Sequence, residues 1–236
     1  MTTTIARRRV EEALLPPLVA LLVALVVGDI LIILVGQSPS AVFRLMLSGT
    51  WGNWYGFGQV LYKATTLICT GLAVSVALRA GLFNIGGEGQ LAAGGFAAAV
   101  MGLALPAGTP GVVAIPVCIA AALAAGGLVG AIPGVMKARF GAHEVIVTIM
   151  LNFIVLALLN YIVASHLHEP ETLHTPTIAE GAQVPRLAAV WEGFHGSAAN
   201  LTILLAIAVA ALVWWYLFRT RGGYELRVGG LQPEGG

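Results

Sequence analysis

Between two apolar runs the chain reads Arg79-Ala-Gly-Leu-Phe-Asn-Ile-Gly-Gly-Glu-Gly-Gln90, placing Asn84, Glu88 and Gln90 among four glycines. The apolar run that follows, residues 91–105, rises only about 22 Å at 1.5 Å per residue, too little to cross about 30 Å of hydrocarbon. To span, it must recruit residues from the glycine stretch, which draws Glu88, Gln90 and Asn84 toward membrane depth. A carboxylate at that depth is costly and is a functional candidate by default. Irregular backbone there is tolerated only where it is buried in protein or lines a cavity, and interrupted helices of this kind point to a solute pathway. The competing reading is a cytoplasmic turn with a solvated glutamate. The glycines are not a nucleotide loop. No lysine followed by serine or threonine comes after them, and their spacing does not match the dinucleotide fingerprint.

Reactive chemistry has little support elsewhere. Asp29 is the sole aspartate, near the outer end of the first apolar run, and no serine has a glycine-flanked nucleophile context, which counts against an intramembrane enzyme. His166, His168, Glu169, Glu171 and His174 are metal-ligand types, but Pro170 and the lack of helical spacing favour a solvated outer loop, so no metal or other cofactor is expected. Cys69 and Cys118 lie inside apolar runs at a spacing that fits no paired-cysteine zinc site, and they read as small packing residues. Asn152 and Asn160 share approximately one face of a later run, where they could line a polar path or hydrogen-bond a neighbouring helix.

Composition defines the elements that must position these groups. Of 236 residues, 58% are hydrophobic and 10% charged, against about 25% charged in soluble domains, so most of the chain is solvated by lipid. A net charge of +1 excludes nucleic-acid binding by phosphate neutralisation. Uncharged runs of roughly spanning length fall at residues 14–35, 61–78, 91–105, 112–135, 145–165 and 201–218, the third being the shortest and weakest. The expected fold is therefore an all-α polytopic membrane protein of about six helices, with a broken or re-entrant segment near the third. The short alternating segments of a barrel are absent, and the run after Arg7-Arg8-Arg9 is too long for a cleaved signal. With the N-terminus cytoplasmic, nine of the twelve lysines and arginines fall inside and only Arg44, Lys63 and Arg186 outside. Residues 1–13 then form a cytoplasmic N-terminal segment, 14–218 the membrane domain and 219–236 a second cytoplasmic segment.

Phe43, Met46, Leu47 and Trp51 recur at helical spacing, predicting a short interfacial helix followed by the belt residues Trp54, Tyr55 and Phe57. Leu187, Val190, Trp191 and Phe194 repeat that pattern in the second outer loop, and Trp214, Trp215 and Tyr216 anchor the inner end of the last run. Gly126, Gly130 and Gly134 make a small-residue stripe, a helix-packing face. In the loop from Lys137 to Glu144, the basic residues follow from orientation, and His143 and Glu144 read either as partner contacts or as a solvated turn.

The segments Gly81-Leu-Phe-Asn-Ile-Gly-Gly-Glu-Gly-Gln90 and Phe140-Gly-Ala-His-Glu-Val-Ile-Val-Thr-Ile-Met-Leu-Asn152 resemble signature segments of permease subunits of bacterial ABC importers. The family is that of branched-chain amino acid, ribose and nucleoside permeases, and the likeness is strongest to the nucleoside and simple-sugar branch. It extends over essentially the whole chain. It implies an inner-membrane subunit that moves a small solute without covalent chemistry, working with a second permease subunit, a cytoplasmic ATP-hydrolysing subunit and an extracytoplasmic substrate-binding lipoprotein. The implied solute pathway runs by Asn84, Glu88, Gln90 and Asn152. Gly223-Tyr-Glu-Leu-Arg-Val-Gly-Gly-Leu-Gln-Pro-Glu234 resembles the opening of the family's coupling segment, which implies that Tyr224, Glu225, Arg227 and Pro233 face the ATPase. That segment normally continues into further spans, so the chain is expected to be C-terminally truncated. An ion-coupled secondary transporter is the rival reading.

Overall fold

A computed structural model describes residues 2–169, 171–172 and 174–231, with side chains from Leu15 onward. The described residues form eight α-helices and no β-strand. Residues 1–57 and 58–236 pack as separate units.

In the first unit, α1 (Thr2–Leu34) carries an apolar stretch, Leu15–Leu34, long enough to span. A short helix, α2 (Pro39–Thr50), forms where the spacing of Phe43 and Met46 predicts one, started by Pro39 at its N-terminus, where a missing N–H costs nothing. After it, Asn53 ties the chain together: its Nδ2 donates to the Ser48 carbonyl at 2.8 Å and its Oδ1 accepts from the Gly56 N–H at 2.6 Å. The Phe57 ring lies 6.0 Å from Trp51 and 6.1 Å from Trp54.

The helix α3 (Trp54–Arg79) begins in the first unit and continues into the second. It is followed by α4 (Gly87–Ala104), α5 (Gly111–Phe140), α6 (Glu144–Ile162), α7 (Thr202–Arg219) and α8 (Arg221–Leu231). A π-helical turn, Val163–Leu167, extends α6. Among the described residues, five helices are long and apolar enough to cross a membrane: those of the Leu15–Leu34, Trp54–Arg79, Gly111–Phe140, Glu144–Leu167 and Thr202–Arg219 stretches. These match five of the six expected runs, so the chain is an all-α polytopic membrane protein. The helix α4 is not among the five. It starts at Gly87, four residues before the apolar run, and thereby takes Glu88 and Gln90 into a helix of about 27 Å.

The best-packed seam joins α4 and α5. Gly94 faces the Ala122 carbonyl, at 3.1 Å from where a Cβ would sit, and a Cβ at Gly126 would lie 3.2 Å from the Gln90 carbonyl. Near the start of α5, Ala98 and Met101 pack on buried Ala114 and Cys118. Small residues every fourth position on both helices bring the two backbones close, the arrangement that drives helix association where no hydrophobic effect operates.

The segment between α6 and α7 differs from its expectation. Its aromatic pattern does not make a second interfacial helix; it forms two 3₁₀ turns, Leu187–Ala189 and Glu192–Phe194. Phe194 is buried while Trp191 is exposed, and buried Ser197 approaches Gly58 on α3. Ile178 and Ala182 pack on Gly102, and the Ala179 N–H donates to the Gly102 carbonyl at 3.1 Å. Four residues suffice for a helical pattern on paper, but Gly193 and Gly196 interrupt this one, and the segment folds instead as a cap on α3, α4 and α5.

Candidate functional site

Three helices set the position of the Arg79–Gln90 stretch. The chain leaves α3 at Arg79, reverses at Gly81 with φ of +71°, a backbone region that suits glycine, and continues without helix to Gly86. Asn152 of α6 then holds it from two sides: its Nδ2 donates to the Ile85 carbonyl at 3.0 Å, and its Oδ1 accepts from the Gly89 N–H at 2.9 Å. One helical turn earlier, the buried Thr148 Oγ1 accepts from the Ile85 N–H at 3.3 Å and donates to the Val145 carbonyl at 3.1 Å. These bonds satisfy backbone groups that helix and sheet leave unpaired here, as buried groups require.

Depth follows from where each neighbour sits on its own helix. Asn152 lies about 12 Å along α6 from Glu144, and Gly130, where an added Cβ would lie 3.4 Å from the Gln90 amide, about 15 Å along α5 from Phe140. Both place the Asn152- and Gly130-facing parts of Ile85–Gln90 inside the helical body rather than at its end. The stretch therefore turns back between the helices.

The four candidate pathway residues divide into two pairs by surroundings. Asn84 and Gln90 exchange amide hydrogen bonds at 3.3 and 3.4 Å, and Asn84 Oδ1 also accepts from the Gly86 N–H at 2.8 Å. Gln90 is thereby turned onto Gly126 and Gly130 of α5, and buried Asn152 is used up by backbone. Asn84 and Glu88, by contrast, line a groove of about 520 Å³ against α3, together with Thr66, Thr70, Val74 and Leu78. Glu88 is exposed and has no hydrogen-bond or ion-pair partner among the described residues. Thr70 Oγ1 donates to the Thr66 carbonyl of its own helix at 3.0 Å. Thr66, Thr70 and Thr148 were not singled out from the sequence. Their one available signal is a hydroxyl in an otherwise apolar run, and many such hydroxyls merely bond to their own helix.

Other expected residues lie elsewhere. Gly126 and Gly130 meet Gln90, but Gly134 has no atom within 4 Å of its Cβ position and borders a small cavity of about 80 Å³ with Pro133, Thr148 and Glu144. Asn160 is exposed and does not join Asn152. Glu144 pairs with Lys137 at 2.8 Å across the α5–α6 turn. Tyr224, Glu225 and Arg227 border an open depression on α8 with Arg219 and Arg221, whereas Pro233 lies outside the described residues. His166 stacks edge-on to Tyr161 at 6.3 Å.

Comparison with known proteins places this architecture. A guanosine ABC transporter permease of Bacillus subtilis is 37% identical over 94% of this chain and 62% of its own length. A glucose ABC transporter permease of Haloferax volcanii is 32% identical over 92% of the chain and 58% of its own length, and a nucleoside ABC transporter permease of Lactococcus lactis 31% over 93% and 61%. The chain thus spans about three fifths of the length of the curated relatives it matches. No solved structure matches it. The family described as "Branched-chain amino acid transport system / permease component" matches residues 56–235, and the chain belongs to that family.

Proposed function

We propose that this chain is a membrane permease subunit of an ATP-driven importer in the bacterial cytoplasmic membrane, and that it forms part of the path for a neutral nucleoside or simple-sugar solute. The observation that carries the reading is the unpaired Glu88 carboxylate, set beside the groove against α3 and next to the Asn84 amide. A carboxylate and an amide receive hydroxyl and N–H donors, and the carboxylate repels anions. The groove volume falls in the range of small-solute sites, about 300–1,000 Å³. The names of the similar proteins, guanosine, nucleoside and glucose permeases, support the same solute class. In this reading Asn84 and Glu88 touch solute, Gln90 and Asn152 fix the segment that presents them, and Gly126, Gly130 and Gly134 form the seam face of α5.

Residues 1–13 and 219–236 lie in the cytoplasm and 14–218 in the membrane. The partners are a second permease subunit of the same family, a cassette ATPase that meets Tyr224, Glu225, Arg227 and Pro233, and an extracytoplasmic binding lipoprotein. Uptake of labelled nucleosides and monosaccharides, measured in cells expressing the chain with these partners, tests the reading. Uptake is expected to stop on ATP depletion and to require the binding protein. Uptake that survives ATP depletion and collapses with the proton gradient would overturn it in favour of an ion-coupled carrier.

A further inference from the structure

The cytoplasmic-end helix α8 touches the Arg79–Gln90 stretch at its root. A Cβ at Gly230 would overlap the Arg79 carbonyl and lie 2.7 Å from the Gly81 nitrogen, and a Cβ at Gly81 would lie 3.1 Å from the Gly230 Cα. Two glycines therefore meet backbone to backbone at the reversal after α3. Beside them, the guanidinium groups of Arg79 from α3 and Arg227 from α8 each lie 5.0 Å from the centroid of one ring, Phe218 of α7. Cations over an aromatic ring are attracted by its quadrupole. One ring thus holds two helices of like charge together. The elbow that returns α8 to this place is also tight: Gly223 abuts the Tyr216 carbonyl and Leu217, and its N–H donates to Thr220 Oγ1 at 3.1 Å.

What lies beyond the root is short. Three residues, Leu82 to Asn84, separate Gly81 from Ile85, whose N–H is held by Thr148 and whose carbonyl is held by Asn152. The α8 contact and the anchored edge of the groove are thus joined by one brief segment of backbone.

We propose that Gly230 and Phe218 are positioning residues: through the Gly81 reversal and the short segment of residues 82–85, the seat of α8 sets where Ile85 and Glu88 stand in the groove. This rests on the permease reading for its purpose, since a device linking a cytoplasmic helix to a solute groove serves coupling, but its geometry can be tested without transport. The readout is the maleimide labelling rate of Ile85→Cys, a half-exposed groove residue, in the purified chain with exposed Cys69 and buried Cys118 replaced by Ser and Ala. Gly230→Val should raise that rate at least threefold. Gly229→Val carries the same helix-propensity change, but Gly229 has no atom within 4 Å of its Cβ position, and its rate should stay within twofold. Equal rates for the two valine variants, or no change in either, would overturn the proposal. Should Gly230→Val fail to fold, Phe218→Leu, which keeps apolar bulk but removes the shared ring, should give the same threefold rise, and an unchanged rate there is equally fatal. Absence of uptake by the unmutated chain with its partners, with these labelling differences intact, would count against the permease reading and leave the positioning role standing.

Discussion

Asn152 takes the place of a missing stretch of helix for Gly89: its side-chain oxygen accepts the Gly89 N–H at 2.9 Å while its amide nitrogen satisfies the Ile85 carbonyl four residues earlier. A Cβ at Gly89 would lie 2.9 Å from that same oxygen, so the bond and the close approach exclude any larger residue there. The stretch from Ile85 to Gly89 is held chiefly by this one side chain and by Thr148.

Replacing Asn152 by leucine removes both bonds and leaves two backbone groups unpaired, each worth about 1–3 kcal/mol when buried. The detergent-solubilised chain is expected to melt several degrees lower. Asn152→Asp keeps the acceptor for Gly89 and loses only the donor, and it should fall between wild type and Asn152→Leu in a thermal melt followed by circular dichroism.

The glycine stripe of α5 should respond unevenly. Gly126→Val pushes a branched side chain at the Gln90 carbonyl across the seam, an overpacking of about 1–3 kcal/mol. Gly134→Ala meets nothing and gains helix propensity, up to about 1 kcal/mol. Opposite shifts in melting midpoint are the expected result; equal losses at both positions would mean that the stripe as a whole packs on something outside this chain.

Glu88 is exposed and unpaired, so Glu88→Gln should leave the folded yield and melting midpoint within error while lowering solute uptake at least tenfold. Anionic analogues, such as nucleoside monophosphates, should compete better in the variant than in the wild type. Unchanged uptake with unchanged selectivity would remove Glu88 from the path.

The Lys137–Glu144 bridge joins the ends of α5 and α6 at 2.8 Å with both side chains partly exposed. Pairs of this kind contribute about 0.2–1 kcal/mol and are screened by salt. Lys137→Met should therefore cost less than Asn152→Leu, and the difference from wild type should shrink between 0.1 M and about 1 M salt.

The spans and the weak third run were legible because length and hydropathy act over some twenty residues and tolerate local irregularity. The recruitment of Glu88 and Gln90 into α4 was legible for a related reason: a run of about 22 Å has to borrow length somewhere. Which face each polar group would take was not. Nothing local distinguishes Gln90, paired with Asn84 and turned onto α5, from Glu88 two residues before it, turned to the groove; their fates are set by Gly126 and Gly130, some forty residues later. The stripe on α5 was visible, but its counterpart Gly94, Ala98 and Gly102 was hidden in a helix rich in small residues throughout. The cap between α6 and α7 was missed because its burial comes from short turns against Gly58 and Gly102, which no periodicity encodes.

The α4–α5 seam has a mechanical consequence. Gly94, Ala98 and Gly102 on one side and Ala114, Ala122 and Gly126 on the other own no side-chain torsion that could turn to a second packing, and ordering them costs almost no side-chain entropy. With Gln90, Met101 and Cys118 as its rotatable members, the joint has few alternative packings, and the two helices are expected to travel as one slab. Any change in the width of the groove has to come from its other wall, by tilting α3 or by moving residues 82–85, and labels placed across the α4–α5 seam should keep a constant separation while those across the α3 groove do not.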